Sequence, residues 1–126
     1  MDFQLSEEQS MIRDTAGQFA ESELAPLAAK FDKGEEKATF MANLKELAEL
    51  GFMGLNVKAE YGGTEAGVVA FSLAITEIAK ACASTAVTTS VTNMVAEVIQ
   101  AMGTEEQRQK YLPKITSGEY AAGGSA

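Results

Sequence analysis

Apolar residues recur at intervals of three and four through most of the chain, which predicts helices separated by glycine and turn residues. The first apolar stripe comprises Ile12, Ala16, Phe19, Ala20 and Leu24. Ser6 and Gln9 have the spacing of a capping box, which predicts where this helix begins. Pro26 predicts its end or a kink, or the start of a short second helix over 27–31.

The same periodicity predicts three longer helices in the middle of the chain. The helix over 40–50 carries Phe40, Leu44, Leu47 and Ala48 on one side. The next, over 67–82, has the stripe Val68, Phe71, Ile75, Ile78 and Cys82. The last runs to Met102 with Val87, Val91, Met94, Val98 and Met102, and Ser84 is its predicted N-cap.

The final quarter of the chain reads as a helix stop followed by one more helix. Gly103 suits the left-handed residue after a helix, and Thr104 with Gln107 predicts a second capping box. Pro113 and the Ser117-Gly118 pair are expected to end that helix. We therefore predict an all-α bundle of five to six helices, with residues 1–126 forming one helical domain.

Composition narrows the functions that such a bundle can have. The 126 residues carry a net charge of −8 without a cluster of basic residues, which is a poor match to nucleic acid or an anionic membrane surface. No apolar run approaches the roughly 20 residues that a membrane span needs. The acidic N-terminus does not resemble a secretory signal, so we expect a cytoplasmic protein.

Few residues are candidates for catalysis. The chain has no histidine and a single cysteine, Cys82, so we expect no metal site and interpret Cys82 as a core residue. Glu77 and Glu97 lie in the two most apolar helices, but a helix edge explains them better than acid–base chemistry. The segment 61–63 is better explained by a tight turn than by a backbone approach to a ligand.

The run of small residues over 84–92 has two explanations. A wall of Val87, Val91 and Met94 with Ser90 at its edge is suited to line an apolar ligand channel. Close packing of helices in a bundle explains the same composition, and the residues taken alone favour packing.

Four segments, in order and at matching spacing, resemble the N-terminal helical domain of the acyl-CoA dehydrogenases. Residues 3–9 (FQLSEEQ) resemble the start of its first helix, and 19–26 (FAESELAP) its first break. Residues 47–52 (LAELGF) leading to 60–63 (EYGG) are more specific, and 103–119 (GTEEQRQKYLPKITSGE) are the most specific. The resemblance covers essentially the whole chain.

The resemblance implies a larger enzyme with a middle β domain and a C-terminal four-helix bundle that bind FAD between them. Such an enzyme oxidises an acyl-CoA to an enoyl-CoA and usually passes electrons to an electron-transfer flavoprotein. The acyl pocket wall that the resemblance implies comprises Ala86, Val87, Ser90, Val91 and Met94. It also implies a flavin-side edge at Gly124 and Ala126, and a homo-oligomer.

The catalytic glutamate and most of the FAD site of the family lie in the two other domains. We therefore expect the chain alone to be inactive, to hold FAD weakly and to expose apolar surface that drives self-association. Acyl-CoA oxidases and some flavin monooxygenases share the fold and are alternatives. A free-standing helical module that binds a partner protein is a third alternative.

Overall fold

The computed structural model describes residues 3–120, which are largely helical and contain no strand. The described residues form the α-helices α1 (Glu7–Phe19), α2 (Ala28–Asp32), α3 (Lys37–Glu49), α4 (Val68–Ala81), α5 (Ala83–Met102) and α6 (Glu105–Thr116). The predicted all-α architecture is confirmed, with the number of helices at the upper end of the expected range.

Both predicted capping boxes are present. The Gln9 amide donates to Ser6 Oγ at 3.1 Å, and the Ser6 amide donates to Gln9 Oε1 at 2.9 Å. The Gln107 amide donates to Thr104 Oγ1 at 3.2 Å, with the reciprocal bond at 2.9 Å. These bonds satisfy amides that have no partner within the helix, so α1 and α6 begin where the sequence predicts.

The chain around Pro26 changes its helical pitch. After α1 the backbone widens into a π-helical turn, Ala20–Leu24, and then tightens into a 3₁₀ turn, Ala25–Leu27. Pro26 lies in the first turn of the 3₁₀ segment, where a missing amide proton leaves no hydrogen bond unmade. The short α2 follows, as one of the expected alternatives predicts.

The main core lies between α1, α3, α4 and α5. Its largest fully buried side chains are Leu24, Leu44, Leu47, Met53, Leu55 and Ile78. A smaller cluster of Val57, Tyr61, Ala96, Leu112 and Ile115 attaches α6 and the 3₁₀ turn Ala59–Tyr61 to α5. The predicted stripes of α1 and α3 face the main cluster, and Ile78 and Cys82 of the α4 stripe also belong to it, so periodicity found part of the core.

Two predictions about helix ends in the final quarter are wrong. Gly103 is extended (φ −77°, ψ 162°) rather than left-handed. Its lack of a side chain serves packing, because a Cβ there would lie 2.6 Å from the Ile99 carbonyl oxygen. Pro113 lies inside α6, and the helix ends at Thr116, before Gly118 with φ +85°.

Two details of α4 and α5 also differ from prediction. The break between the helices is at the extended Cys82, which occupies the N-cap position of α5, so Ser84 lies inside its first turn. In α4 the buried residues are Ala70, Ala74 and Ile78, whereas Val68 is 74% exposed. Small alanines let α1 pack closely here, and this close packing determines the buried face.

Candidate functional site

The most apolar face of α5 points to solvent. Val87, Met94, Val98 and Met102 are 62%, 50%, 55% and 84% exposed, and Val91 is half-buried. The Val and Met stripe therefore does not face the core, whereas Thr85, Ala86 and Thr89 of the run 84–92 are buried there. An exposed row of large apolar side chains along a helix is typical of a surface that something else covers.

The buried face of α5 is polar by composition. Thr85, Thr89, Thr92, Asn93 and Ala96 lie on it. The Thr89 hydroxyl donates to the Thr85 carbonyl at 2.8 Å, and the Thr92 hydroxyl donates to the Thr88 carbonyl at 2.7 Å. Because these hydroxyls bond within their own helix, the face packs against the core without leaving polar groups unsatisfied.

An apolar groove of about 330 Å³ runs between α4 and the first half of α5. Its lining comprises Ile75, Ala79, Ala83, Ala86, Val87, Ser90 and Val91. Four of the five predicted pocket residues thus lie together, and Met94 stands on the exposed face of α5 one turn beyond Ser90. Within the described lining, the single polar side chain is that of Ser90, so the groove is suited to an apolar group.

A second apolar groove of about 370 Å³ lies at the other end of α5, against α6. It is lined by Val98, Ile99, Met102, Gly103, Gln107 and Tyr111. At 1.5 Å per residue, α5 is about 30 Å long. The exposed side of α5 is thus a long apolar surface with one groove near each end. The spacing of apolar residues along the chain did not predict this second groove.

Between its exposed and buried faces, α5 has a row of polar side chains that hydrogen-bond the segment 52–58. This segment joins α3 to the 3₁₀ turn. Asn93 binds the backbone of Phe52 and Leu55, and Gln100 binds the backbone of Lys58 and Asn56. Between them, Glu97 accepts a hydrogen bond from Asn56 Nδ2 at 3.3 Å. Glu97 therefore lies on an edge of the helix with a structural hydrogen bond, which agrees with the expectation of a helix edge.

Comparison with known proteins agrees with this geometry. The family model described as acyl-CoA dehydrogenase, N-terminal domain, matches residues 6–119. The chain belongs to this family. A short-chain specific acyl-CoA dehydrogenase of Clostridium acetobutylicum is 40% identical over 120 residues, which is 94% of this chain and 31% of that protein.

Two solved structures share the fold. The butyryl-CoA dehydrogenase of Megasphaera elsdenii superposes with a TM-score of 0.84 at 32% identity, over 96% of this chain and 32% of that one. An acyl-CoA dehydrogenase of Bacillus anthracis complexed with FAD gives a TM-score of 0.83 at 31% identity, over 94% of this chain and 20% of that one. The chain spans about a third of the length of the curated relative.

The glycine pair of this acyl-CoA dehydrogenase domain is a packed turn. Gly62 has φ +90°, and a Cβ on Gly63 would lie 1.9 Å from the Val57 carbonyl oxygen. The preceding Tyr61 is buried, and its hydroxyl donates to the Glu105 carboxylate. That hydrogen bond raises the pKa of Tyr61 and lowers the pKa of Glu105. The geometry supports the turn interpretation rather than a ligand contact.

The other two residues of the acyl-CoA dehydrogenase domain that the sequence offers for chemistry, Glu77 and Cys82, have structural roles. Glu77 pairs with Lys80 at 3.1 Å on the surface of α4, and Cys82 is buried in the core. Over residues 3–120, no group of three metal-ligating side chains is placed to hold an ion. None of the helices in that range is long and apolar enough to cross a membrane. The predicted flavin-side residues Gly124 and Ala126 lie outside the described residues.

Proposed function

We propose that α4 and α5 form an apolar wall for the acyl chain of a coenzyme A thioester in a flavin-dependent acyl-CoA dehydrogenase. The observation that carries this proposal is the groove between α4 and α5 that collects the buried Ala86 with the more exposed Val87, Ser90 and Val91. Its volume of about 330 Å³ is in the range of small-molecule pockets. Met94 extends the wall along the same side.

The described residues are suited to bind and desolvate an acyl chain. The lining of the groove contains no acid, base or cation, so these residues contribute shape and exclusion of water rather than proton transfer. FAD, when bound, supplies the acceptor for the hydride that leaves the β-carbon. We propose the flavin-side edge at Gly124 and Ala126 because the resemblance implies it.

The partners that we propose follow from family membership. They are an acyl-CoA substrate, an electron-transfer flavoprotein as electron acceptor, and further copies of the same enzyme. The relative and the two structures are described as acyl-CoA dehydrogenases, which favours dehydrogenation over oxidase or monooxygenase activity. The match over residues 6–119 favours an enzyme domain over an unrelated interaction module.

A chimeric enzyme tests the proposal. In it, this domain replaces the matching part of the Clostridium acetobutylicum enzyme, and kcat/KM is measured for butyryl-CoA and octanoyl-CoA with an artificial electron acceptor. Ser90→Phe fills the groove, so we expect the octanoyl-to-butyryl preference to fall about tenfold, equivalent to about 1.4 kcal/mol. Met94→Phe is expected to act in the same direction with a smaller effect.

Ser22→Phe is the matched control, because Ser22 is exposed, its hydroxyl bonds the Gln18 carbonyl and it does not line the groove. It should leave the preference unchanged. If Ser90→Phe and Ser22→Phe give the same ratio in a chimera that binds FAD, the acyl wall lies elsewhere.

A further inference from the structure

Asn93 is a buried polar side chain whose hydrogen bonds all reach backbone groups. It is 1% exposed, at the middle of α5. Its Oδ1 accepts from the Leu55 amide at 2.9 Å, and its Nδ2 donates to the carbonyls of Phe52 and Thr89 at 2.8 Å each. The side chain thus joins α5 to a segment 38 to 41 residues earlier in the chain.

The segment that Asn93 binds is buried but irregular. Phe52, Met53, Leu55 and Val57 are all buried, yet this stretch forms turns instead of a helix or strand. Buried backbone groups need partners, and here α5 provides them through side chains. Gln100, seven residues after Asn93 on the same edge, accepts from the Lys58 amide at 2.8 Å and donates to the Asn56 carbonyl at 3.1 Å.

The other buried polar side chains of α5 say less about its position along the axis. The hydroxyls of Thr85 and Thr89 bond to Cys82 Sγ and to the Thr85 carbonyl, so these bonds move with the helix if α5 shifts. A single buried asparagine fixes register in coiled coils, because any slip leaves polar groups without partners. A slip or rotation of α5 would leave the Leu55 amide and the Phe52 carbonyl buried and unpaired.

We infer that Asn93 is a positioning residue that sets the rotation and axial register of α5, and thereby the shape of the groove between α4 and α5. Asn93 does not line the groove, whereas Ser90 and Val91 precede it on the same helix and do. The effect of this register on the binding of an acyl chain rests on the proposed function. The positioning of α5 by Asn93 is independent of the proposed function.

The first experiment uses nuclear magnetic resonance on the chain of this sequence and requires no substrate. Asn93→Leu keeps the branching and the number of heavy atoms of the side chain but removes its hydrogen bonds. We expect the folded variant to show shifted or split amide signals at Ser90 and Val91, and altered methyl contacts between α4 and α5. Thr89→Val is the matched control, because it removes a hydroxyl from the same buried face whose bond stays within α5.

The contrary outcome is a variant that is less stable but otherwise unchanged. If Asn93→Leu lowers the unfolding midpoint while the signals of Ser90 and Val91 and the α4–α5 contacts match the wild type, Asn93 acts on stability alone. Asn93→Thr provides the same test if Asn93→Leu does not fold, because a threonine hydroxyl can bond within the helix, as that of Thr89 does, while the bonds to Phe52 and Leu55 are lost. Unchanged signals at Ser90 and Val91 in a folded Asn93→Thr would then overturn the inference, and shifted or split signals there would support it.

The second experiment repeats the comparison in the chimeric enzyme. We expect Asn93→Leu to change the octanoyl-to-butyryl preference at least about threefold through KM, with kcat for butyryl-CoA less affected. Thr89→Val should leave the preference unchanged. A register change in the magnetic resonance data with no change in preference would contradict the acyl wall and leave the positioning role intact, so the two proposals fail separately.

Discussion

The Tyr61 hydroxyl donates to both carboxylate oxygens of Glu105, at 2.9 and 2.8 Å. Glu105 is in the first turn of α6, while Thr116, the last residue of that helix, donates its hydroxyl to the Tyr61 carbonyl at 3.1 Å. One buried residue of a 3₁₀ turn therefore holds both ends of α6. Because α6 contributes Leu112 and Ile115 to the smaller core cluster, this pairing helps to close that cluster.

The Tyr61–Glu105 pair predicts an acid-sensitive contribution to stability. The pKa of Glu105 is below its usual value of 4.5, chiefly because of the Tyr61 hydrogen bond. A depressed carboxyl pKa contributes stability that is complete above pH 4.5 and is lost as the pH falls through the folded value. We expect Glu105→Gln to reduce the loss of unfolding free energy over this window, measured by urea denaturation at a series of pH values.

The neighbouring exposed Glu106 supplies the control for this experiment. Glu106→Gln removes the same charge one residue further along α6, and it should keep the acid slope of the wild type. Tyr61→Phe should resemble Glu105→Gln, because either change breaks the hydrogen bond that shifts the carboxyl pKa. Identical acid slopes for the wild type and Glu105→Gln would show that the pair does not contribute in this way.

Gly63→Ala is predicted to be strongly destabilising. A Cβ at this position would lie 1.9 Å from the Val57 carbonyl oxygen, so the turn would have to move apart from the segment that it packs against. Backbone atoms have less freedom to adjust than the end of a side chain. We expect a loss of about 3 kcal/mol or more in the free energy of unfolding, measured by denaturant titration.

Gly17→Ala is the corresponding control within a helix. A Cβ on Gly17 would meet the Glu77 side chain no closer than 3.4 Å, and alanine is the better helix former. We expect a gain of about 0.5–1 kcal/mol. Equal destabilisation by both alanines would indicate that glycine is needed at Gly63 for some reason other than the contact with Val57.

The exposed apolar face of α5 predicts self-association of the chain. Replacing Val98 and Met102 with glutamine removes two exposed apolar side chains from the second groove. We expect the double variant to associate at least about tenfold more weakly by sedimentation equilibrium. Because both side chains are exposed, the free energy of unfolding of the monomer should change by no more than about 0.5 kcal/mol.

A matched pair of exposed apolar residues elsewhere is the control for association. Met11 on α1 and Met41 on α3 are 66% and 54% exposed, and their replacement by glutamine removes a similar apolar area. If that change weakens association as much as Val98→Gln with Met102→Gln, the effect is one of general hydrophobicity. If the Val98→Gln and Met102→Gln variant associates more weakly than the Met11→Gln and Met41→Gln variant, the contact lies on α5.

The Thr104 cap predicts a smaller and local effect. Thr104→Ala removes the acceptor of the Gln107 amide, and we expect a loss of about 1 kcal/mol in the free energy of unfolding. Thr104→Ser keeps the oxygen and should lose much less. Hydrogen exchange should quicken at the first turn of α6 in Thr104→Ala, whereas faster exchange throughout the chain would point to a global effect instead.

Capping motifs and apolar periodicity predicted the helix starts and the buried sides that depend on residues close together in the sequence. The spacing of Ser6 with Gln9 and of Thr104 with Gln107 located two helix starts, since capping boxes involve residues three apart. Periodicity identified the buried sides of α1 and α3 for the same reason. Gly103 was misassigned because its packing against the Ile99 carbonyl, rather than its φ angle, requires glycine.

The orientation of α5 could not be derived from periodicity. Hydrophobicity assigns the Val and Met stripe to the core, whereas the helix buries threonines that bond to carbonyls four residues earlier. The recurrence of threonine at four-residue spacing, as in Thr85 and Thr89, was the available signal. Asn93 was missed because its partners at Phe52 and Leu55 are distant in sequence, although a lone asparagine in so apolar a helix was a signal too.

The threonine bonds within α5 have a consequence for how this domain can change over generations. A helix whose buried hydroxyls are satisfied internally makes few demands on its neighbours, so its folding depends little on the residues at Val87, Ser90 or Met94. Changes at Thr85 or Thr89 and changes at Val87 or Met94 should then combine almost additively, whereas Asn93, which bonds outside the helix, is an exception. Substitutions on the exposed side of α5 can thus change ligand preference during evolution while the buried residues of the helix stay the same.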